Sequence, residues 1–182
     1  MIEIRFLSLV ALLAMFALLS IAFKSYFLPL IILSALPFGF CGAVIGHLVF
    51  GKGLSMISYW GIGAACGVVI NDNLVLVDYI NRVRRSGKHL LEAVIEAGVV
   101  RFRPIVITSI TTFVGLMPIM LEPSVQANFL KPAVISLTCG VVLCAPVTLI
   151  LVPCLMVIGA DIKEVLSRIP QVIKRQFSLT TT

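Results

Sequence analysis

Residues 54–80 read LSMISYWGIGAACGVVINDNLVLVDYI, an unbroken apolar run holding only two charged residues, Asp72 and Asp78. A helix needs about 20 apolar residues to cross a hydrocarbon core about 30 Å thick, and this segment is long enough. Four more runs follow the same pattern, at about residues 6–23, 27–50, 104–121 and 132–160. The whole chain agrees with them. Of 182 residues, 60% are hydrophobic and 12% charged, where soluble domains carry about 25% charge. A soluble chain of this length buries about 70% of its unfolded surface, too little to hide so much apolar area. The fold class expected is an all-α integral membrane protein of five transmembrane helices, forming one helical domain over residues 1–160. A polar tail covers residues 161–182.

The formal charge of +6 is a topology signal here and not a sign of nucleic-acid binding. Lys24, Arg82, Arg84, Arg85, Lys88, Arg101, Arg103, Lys163, Arg168, Lys174 and Arg175 fall at one end of the expected bundle. Arg5, Lys52 and Lys131 fall at the other. Basic residues accumulate in cytoplasmic loops, so the N-terminus is expected outside and the C-terminus inside. The first span has a single Arg5 offset by Glu3 and a long apolar run, which fits a retained helix better than a signal peptide. Cys41, Cys66, Cys139, Cys144 and Cys154 all lie in apolar stretches without a CxxC pair, and read as small buried hydrophobes.

Between the third and fourth spans, Leu90, Leu91, Val94, Ile95 and Ala97 recur at helical spacing, with Lys88, Glu92 and Glu96 four apart on another face. The pattern predicts an amphipathic helix over about residues 86–100, resting along the inner membrane surface. It serves either as a solvated connector or as a coupling element.

Polar groups inside the bilayer each cost a few kcal/mol unless paired or hydrated, so they are the candidates for function. Asp78 stands four residues before Arg82, the favourable order for a structural ion pair on a helix. Asp72 has only Val68, Val69, Val75 and Leu76 at three and four residues' distance, and hence no cation on its own helix. Two readings stay open for it: a proton carrier, or a neutral hydrogen-bonded structural acid. Thr108, Ser109, Thr111 and Thr112 on the fourth span are either packing groups or part of a proton path. His47 reads as an interfacial polar contact. Gly42xxxGly46 and Gly63xxxGly67 are small-residue faces that let helices approach closely. No nucleophile–base pair, phosphate-binding glycine loop or metal-ligand cluster is apparent, so neither enzyme activity nor a cofactor is expected.

Three segments carry a resemblance. Phe23-Lys-Ser-Tyr-Phe-Leu-Pro-Leu30 with Ala35-Leu-Pro-Phe-Gly39 resembles the entrance to the ninth transmembrane helix of resistance–nodulation–division (RND) efflux permeases of the acriflavin-resistance type. Residues 67–82, GVVINDNLVLVDYINR, resemble the tenth helix, and residues 101–118, RFRPIVITSITTFVGLMP, the eleventh. The match covers about residues 6–160 in order. It implies helices eight to twelve of a twelve-helix, two-repeat permease of the bacterial inner membrane. The missing N-terminal half, with both periplasmic domains and the proton-accepting aspartates of the fourth helix, would then be its first partner. It further implies a homotrimer driven by protons, working with a periplasmic adaptor and an outer-membrane channel.

One departure matters. Where many drug exporters carry a lysine in the tenth helix, this chain has Asn71, followed by Asp72 in place of the usual asparagine. The usual charge-swap mechanism therefore does not carry over intact. A hydrogen-bonded relay of Asn71, Asp72 and Thr108 with an acid from the absent half is the alternative. Two other readings remain: a membrane subunit resembling the SecD/SecF protein-export family, which shares the helix plan, and a non-transporting membrane assembly protein.

Overall fold

The computed structural model describes the backbone of residues 2–179, and the side chains of residues 6–162 and Val165. Arg5 and the tail residues Lys163, Arg168, Lys174 and Arg175, which entered the charge tally, lie outside the described side chains. The described chain is helical: α1 (Ile2–Phe23), α2 (Phe27–Leu33), α3 (Leu36–Val49), α4 (Met56–Arg85), α5 (Leu90–Leu121) and α6 (Val125–Leu179). Counting α2 and α3 together, five helical segments among the described residues are long and apolar enough to cross a membrane. Turn chemistry separates them. Lys24 adopts φ +50° after α1, and Gly87 adopts φ +95° after α4, left-handed conformations that stop a helix.

α6 is the centre of the bundle and packs against α3, α4 and α5. Lipid tails are as apolar as leucine, so close backbone approach has to hold these helices together. A Cβ at Gly42 would stand 2.9 Å from the Cys139 carbonyl oxygen and 3.2 Å from Gly140 Cα. One at Gly46 would overlap the Cys139 side chain, and one at Gly61 the backbone of Ala133. Gly140 faces both neighbours, 3.0 Å from Ala65 Cβ and 3.1 Å from the Gly39 oxygen for an added Cβ. Ile32, Leu76, Val77, Ile80, Ala97 and Val152 form the densest apolar cluster, toward the end of α4 that carries Arg82, Arg84 and Arg85. α1 joins this cluster only through Leu19, with Met15 and Phe23 resting against it. Of its described side chains only Leu19 is buried.

Three details differ from the sequence expectations. First, the second span is broken: Ser34 and Ala35 separate α2 from α3. Pro37 near the start of α3 has no N–H to give to the carbonyl four residues back, so the ladder is interrupted there. Second, the helix expected along the membrane surface over residues 86–100 begins at Leu90 and continues through Pro104 into the fourth span as one helix of 32 residues. Proline is tolerated in membrane helices because neighbouring groups satisfy the freed carbonyl. The apolar stripe of this segment divides accordingly. Ala93, Val94 and Ala97 are buried in the cluster with Ile80 and Val83, while Leu91 and Ile95 are exposed. Third, the sequence from residue 161 onward continues α6 to Leu179.

Candidate functional site

The residues that could move a proton lie on α4. Asp72 sits 13 residues before Arg85, about 20 Å along the axis at 1.5 Å per residue, near mid-membrane depth. Consecutive residues on a helix point about 100° apart, so Asn71, Asp72 and Asn73 meet three different environments. Asn71 is exposed, Asp72 is half-buried at the edge of the packed face, and Asn73 is fully buried. Asp72 has neither a hydrogen bond nor a cation among the described residues. It is therefore free to hold a proton, or to accept a hydrogen bond from a group on another polypeptide segment.

Asn73 is the buried member of the three, and its amide donates to the carbonyl of Ile32 at 3.5 Å. That carbonyl lies in the last turn of α2, beside the break before α3, and also accepts the Ala35 N–H at 3.5 Å. From the opposite side the Cys144 thiol of α6 donates to the Ala35 carbonyl, also at 3.5 Å. Ala35, Val69 and Cys144 pack together around this point. The broken helix is thus held between α4 and α6 by two side chains that reach carbonyls beside the break, each of which also accepts a backbone N–H. The Oδ1 of Asn73 is buried without a partner among the described residues.

The other candidates take varied positions. Thr108 is exposed, and its hydroxyl donates back to the Pro104 carbonyl at 2.6 Å. No hydrogen bond joins Asn71, Asp72 and Thr108 among the described residues, so this chain does not assemble that relay by itself. Thr111 and Thr112 likewise bond to carbonyls of their own helix, and Ser109 is buried on the Ile105 carbonyl. Asp78 accepts from Arg82 at 2.9 Å, with both side chains well exposed. Such a pair contributes at most about 1 kcal/mol. Among the described residues nothing stands within 4 Å of a Cβ built at Gly63 or Gly67. The close approach of α4 is at Gly61 instead, two residues away and hence on another face.

Several interactions escaped the sequence reading. His47 is buried, with Nδ1 donating to the Ala43 carbonyl at 3.0 Å and Nε2 2.9 Å from Ser58 Oγ. Ser58 Oγ also accepts from the Ser55 N–H at 3.0 Å, so this contact caps the start of α4. Lys88 precedes α5 and therefore bonds Glu96 at 2.6 Å, not Glu92 one turn closer. Tyr79 donates to the same Glu96 at 3.3 Å, and Arg101 lies 5.1 Å over the Tyr79 ring. Hydrogen bonding to Glu96 raises the Lys88 pKa above its ordinary value. Of the cysteines expected inside, Cys144 is buried but Cys41 and Cys154 are exposed on the surface of the chain.

Comparison with known sequences agrees with this arrangement. Residues 2–160 match the AcrB/AcrD/AcrF family. The chain is 32% identical over 148 residues to the multidrug resistance protein MdtC of Proteus mirabilis (strain HI4320). That alignment covers 81% of this chain and 14% of the relative, so the chain spans about one-seventh of that protein's length. With α6 central among five apolar segments long enough to cross a membrane, and the family match running from α1 to the middle of α6, the chain belongs to the AcrB/AcrD/AcrF family of RND permeases.

Proposed function

We propose that these helices form part of the inner-membrane unit of a proton-driven permease that exports small molecules across the cell envelope. The observation that carries this reading is Asp72, a carboxyl near mid-membrane depth with no cation among the described residues. A lone acid at that depth is stable when it takes up a proton or faces a hydrated path. Protonation removes its charge one residue away from Asn73, whose amide ties α4 to the break between α2 and α3. Proton binding and release would thus act directly beside the least regular point of the helix bundle.

In this reading the substrate does not bind on the helices described here. It binds on the rest of the permease, which works as a homotrimer with a periplasmic adaptor and an outer-membrane channel. The excess of basic residues at the Arg82–Arg85 end supports a cytoplasmic position for that end and a periplasmic N-terminus. Asn71 and Thr108, exposed on this chain, stay available to acids from another segment. No covalent chemistry is involved.

The test is Asp72→Asn in the complete permease, assayed by proton-dependent export in inverted membrane vesicles. Export should fall to background while the protein level in the membrane is unchanged. Asp78→Asn removes an exposed pair and should leave export largely intact. Undiminished export by Asp72→Asn would refute the proton role.

A further inference from the structure

A cleft of about 580 Å³ opens at the Arg82–Arg85 end of the bundle, between α2, the end of α4, the start of α5 and α6. Its lining is largely apolar, with Phe27, Leu28, Ile31 and Met156, and its polar members are Ser25, Tyr26, Asn81 and Arg84. Gly159 shapes this lining: the Phe27 ring lies where a Cβ at residue 159 would stand. Arg84 is the only charged residue among the described residues of the lining.

The charges around the cleft decide what it can take. Arg82 is engaged by Asp78 at 2.9 Å and Lys88 by Glu96 at 2.6 Å. Arg101 rests on the Tyr79 ring. Arg84 has no acid among the described residues, and Asp161 is exposed nearby without lining the cleft. An uncompensated guanidinium in a largely apolar lining, at the level where membrane helices end, matches an anion joined to hydrocarbon. A free phosphate ion would use the polar members and leave the apolar ones uncovered.

We propose that this cleft binds one anionic phospholipid, its phosphate on Arg84 and Asn81 and the upper part of an acyl chain against Phe27, Ile31 and Met156. The volume lies within the range of ordinary small-molecule sites. Arginine suits the role because its planar fork meets phosphate oxygens in pairs. The inference is independent of proton transport and of which leaflet faces the basic end.

The experiment uses the purified chain in nanodiscs of equal phosphatidylglycerol and phosphatidylcholine with identical acyl chains, followed by native mass spectrometry of retained lipid. One phosphatidylglycerol should be retained preferentially. Arg84→Gln should lower that preference about fivefold, the weight of one basic side chain at an anionic surface. Arg84→Lys should retain much of it. Arg82→Gln removes the same charge two residues away but lies outside the cleft, and should leave the preference unchanged. Ala160→Phe fills the cleft and should reduce retention of both lipids, with helicity checked by circular dichroism. Three results would overturn the proposal: no preference for phosphatidylglycerol, equal losses from Arg82→Gln and Arg84→Gln, or displacement of the lipid by millimolar inorganic phosphate.

Discussion

Replacing Gly61 and Gly63 separately by alanine tests how the bundle is held together, because the two sites are chemically alike and differ only in what faces them. A Cβ at Gly61 would stand 2.7 Å from the carbonyl carbon and 2.8 Å from the Cα of Ala133, closer still to the carbonyl oxygen. Carbon atoms prefer about 3.5–4.0 Å, and backbone cannot rotate aside, so α4 and α6 must separate by about 1 Å. A gap of that size forfeits a quarter to a half of the local dispersion energy. Overpacking of this kind costs about 1–3 kcal/mol, while glycine to alanine in a helix returns at most about 1 kcal/mol. With the full gain subtracted, Gly61→Ala should therefore destabilise the bundle by up to about 2 kcal/mol. Gly63→Ala meets nothing within 4 Å among the described residues. It should leave stability unchanged or raise it by up to about 1 kcal/mol. The assay is loss of helicity against the mole fraction of dodecyl sulfate in mixed micelles, followed by circular dichroism. Equal destabilisation by the two substitutions, or a larger effect at Gly63, would refute the assignment of the α4–α6 seam.

Asn73→Asp puts a carboxyl oxygen where an amide donor now meets the Ile32 carbonyl. The variant should lose about 1–3 kcal/mol in the same titration, and an unchanged midpoint would remove Asn73 from the support of the helix break. The raised pKa of Lys88 makes its contribution to stability fully present below the ordinary lysine value of 10.5, and lost as pH rises through the higher folded value. The difference in Tm between wild type and Lys88→Gln should accordingly be steady up to about pH 10 and shrink above it. A difference that grows with alkalinity would contradict the Lys88–Glu96 bond. N-ethylmaleimide applied to the chain in mild detergent should label the exposed Cys41 and Cys154 well before the buried Cys144. Peptide mass mapping reads the order, and early labelling of Cys144 would contradict its burial against Ala35.

The number and approximate limits of the spans were legible because hydrocarbon imposes a length and an apolar composition on anything that crosses it. Asp78 and Arg82 were legible for a similar reason, since a spacing of four residues on a helix is enough to join them. Pro37 is a sequence signal for the break in the second span, set within a continuous apolar run. Lys88, Glu92 and Glu96 were legible as one face, but which acid Lys88 meets was not, because the start of α5 at Leu90 leaves Lys88 outside the helical register.

From sequence alone follow an all-α membrane protein, the kinship of its last helices with RND permeases, and Asp72 as an acid without a cation on its own helix. The tertiary structure decided which faces meet. In water a helix declares its buried side by the contrast between apolar and polar residues, but a membrane helix is apolar all round and that contrast is lost. Gly61 and Gly63 therefore read alike until the backbone of Ala133 is found against one and open space beside the other. The same holds for the three polar neighbours of α4. Only the packing of α4 on the broken second span turns Asn73 inward to Ile32, leaves Asn71 outside, and sets Asp72 at the edge between them.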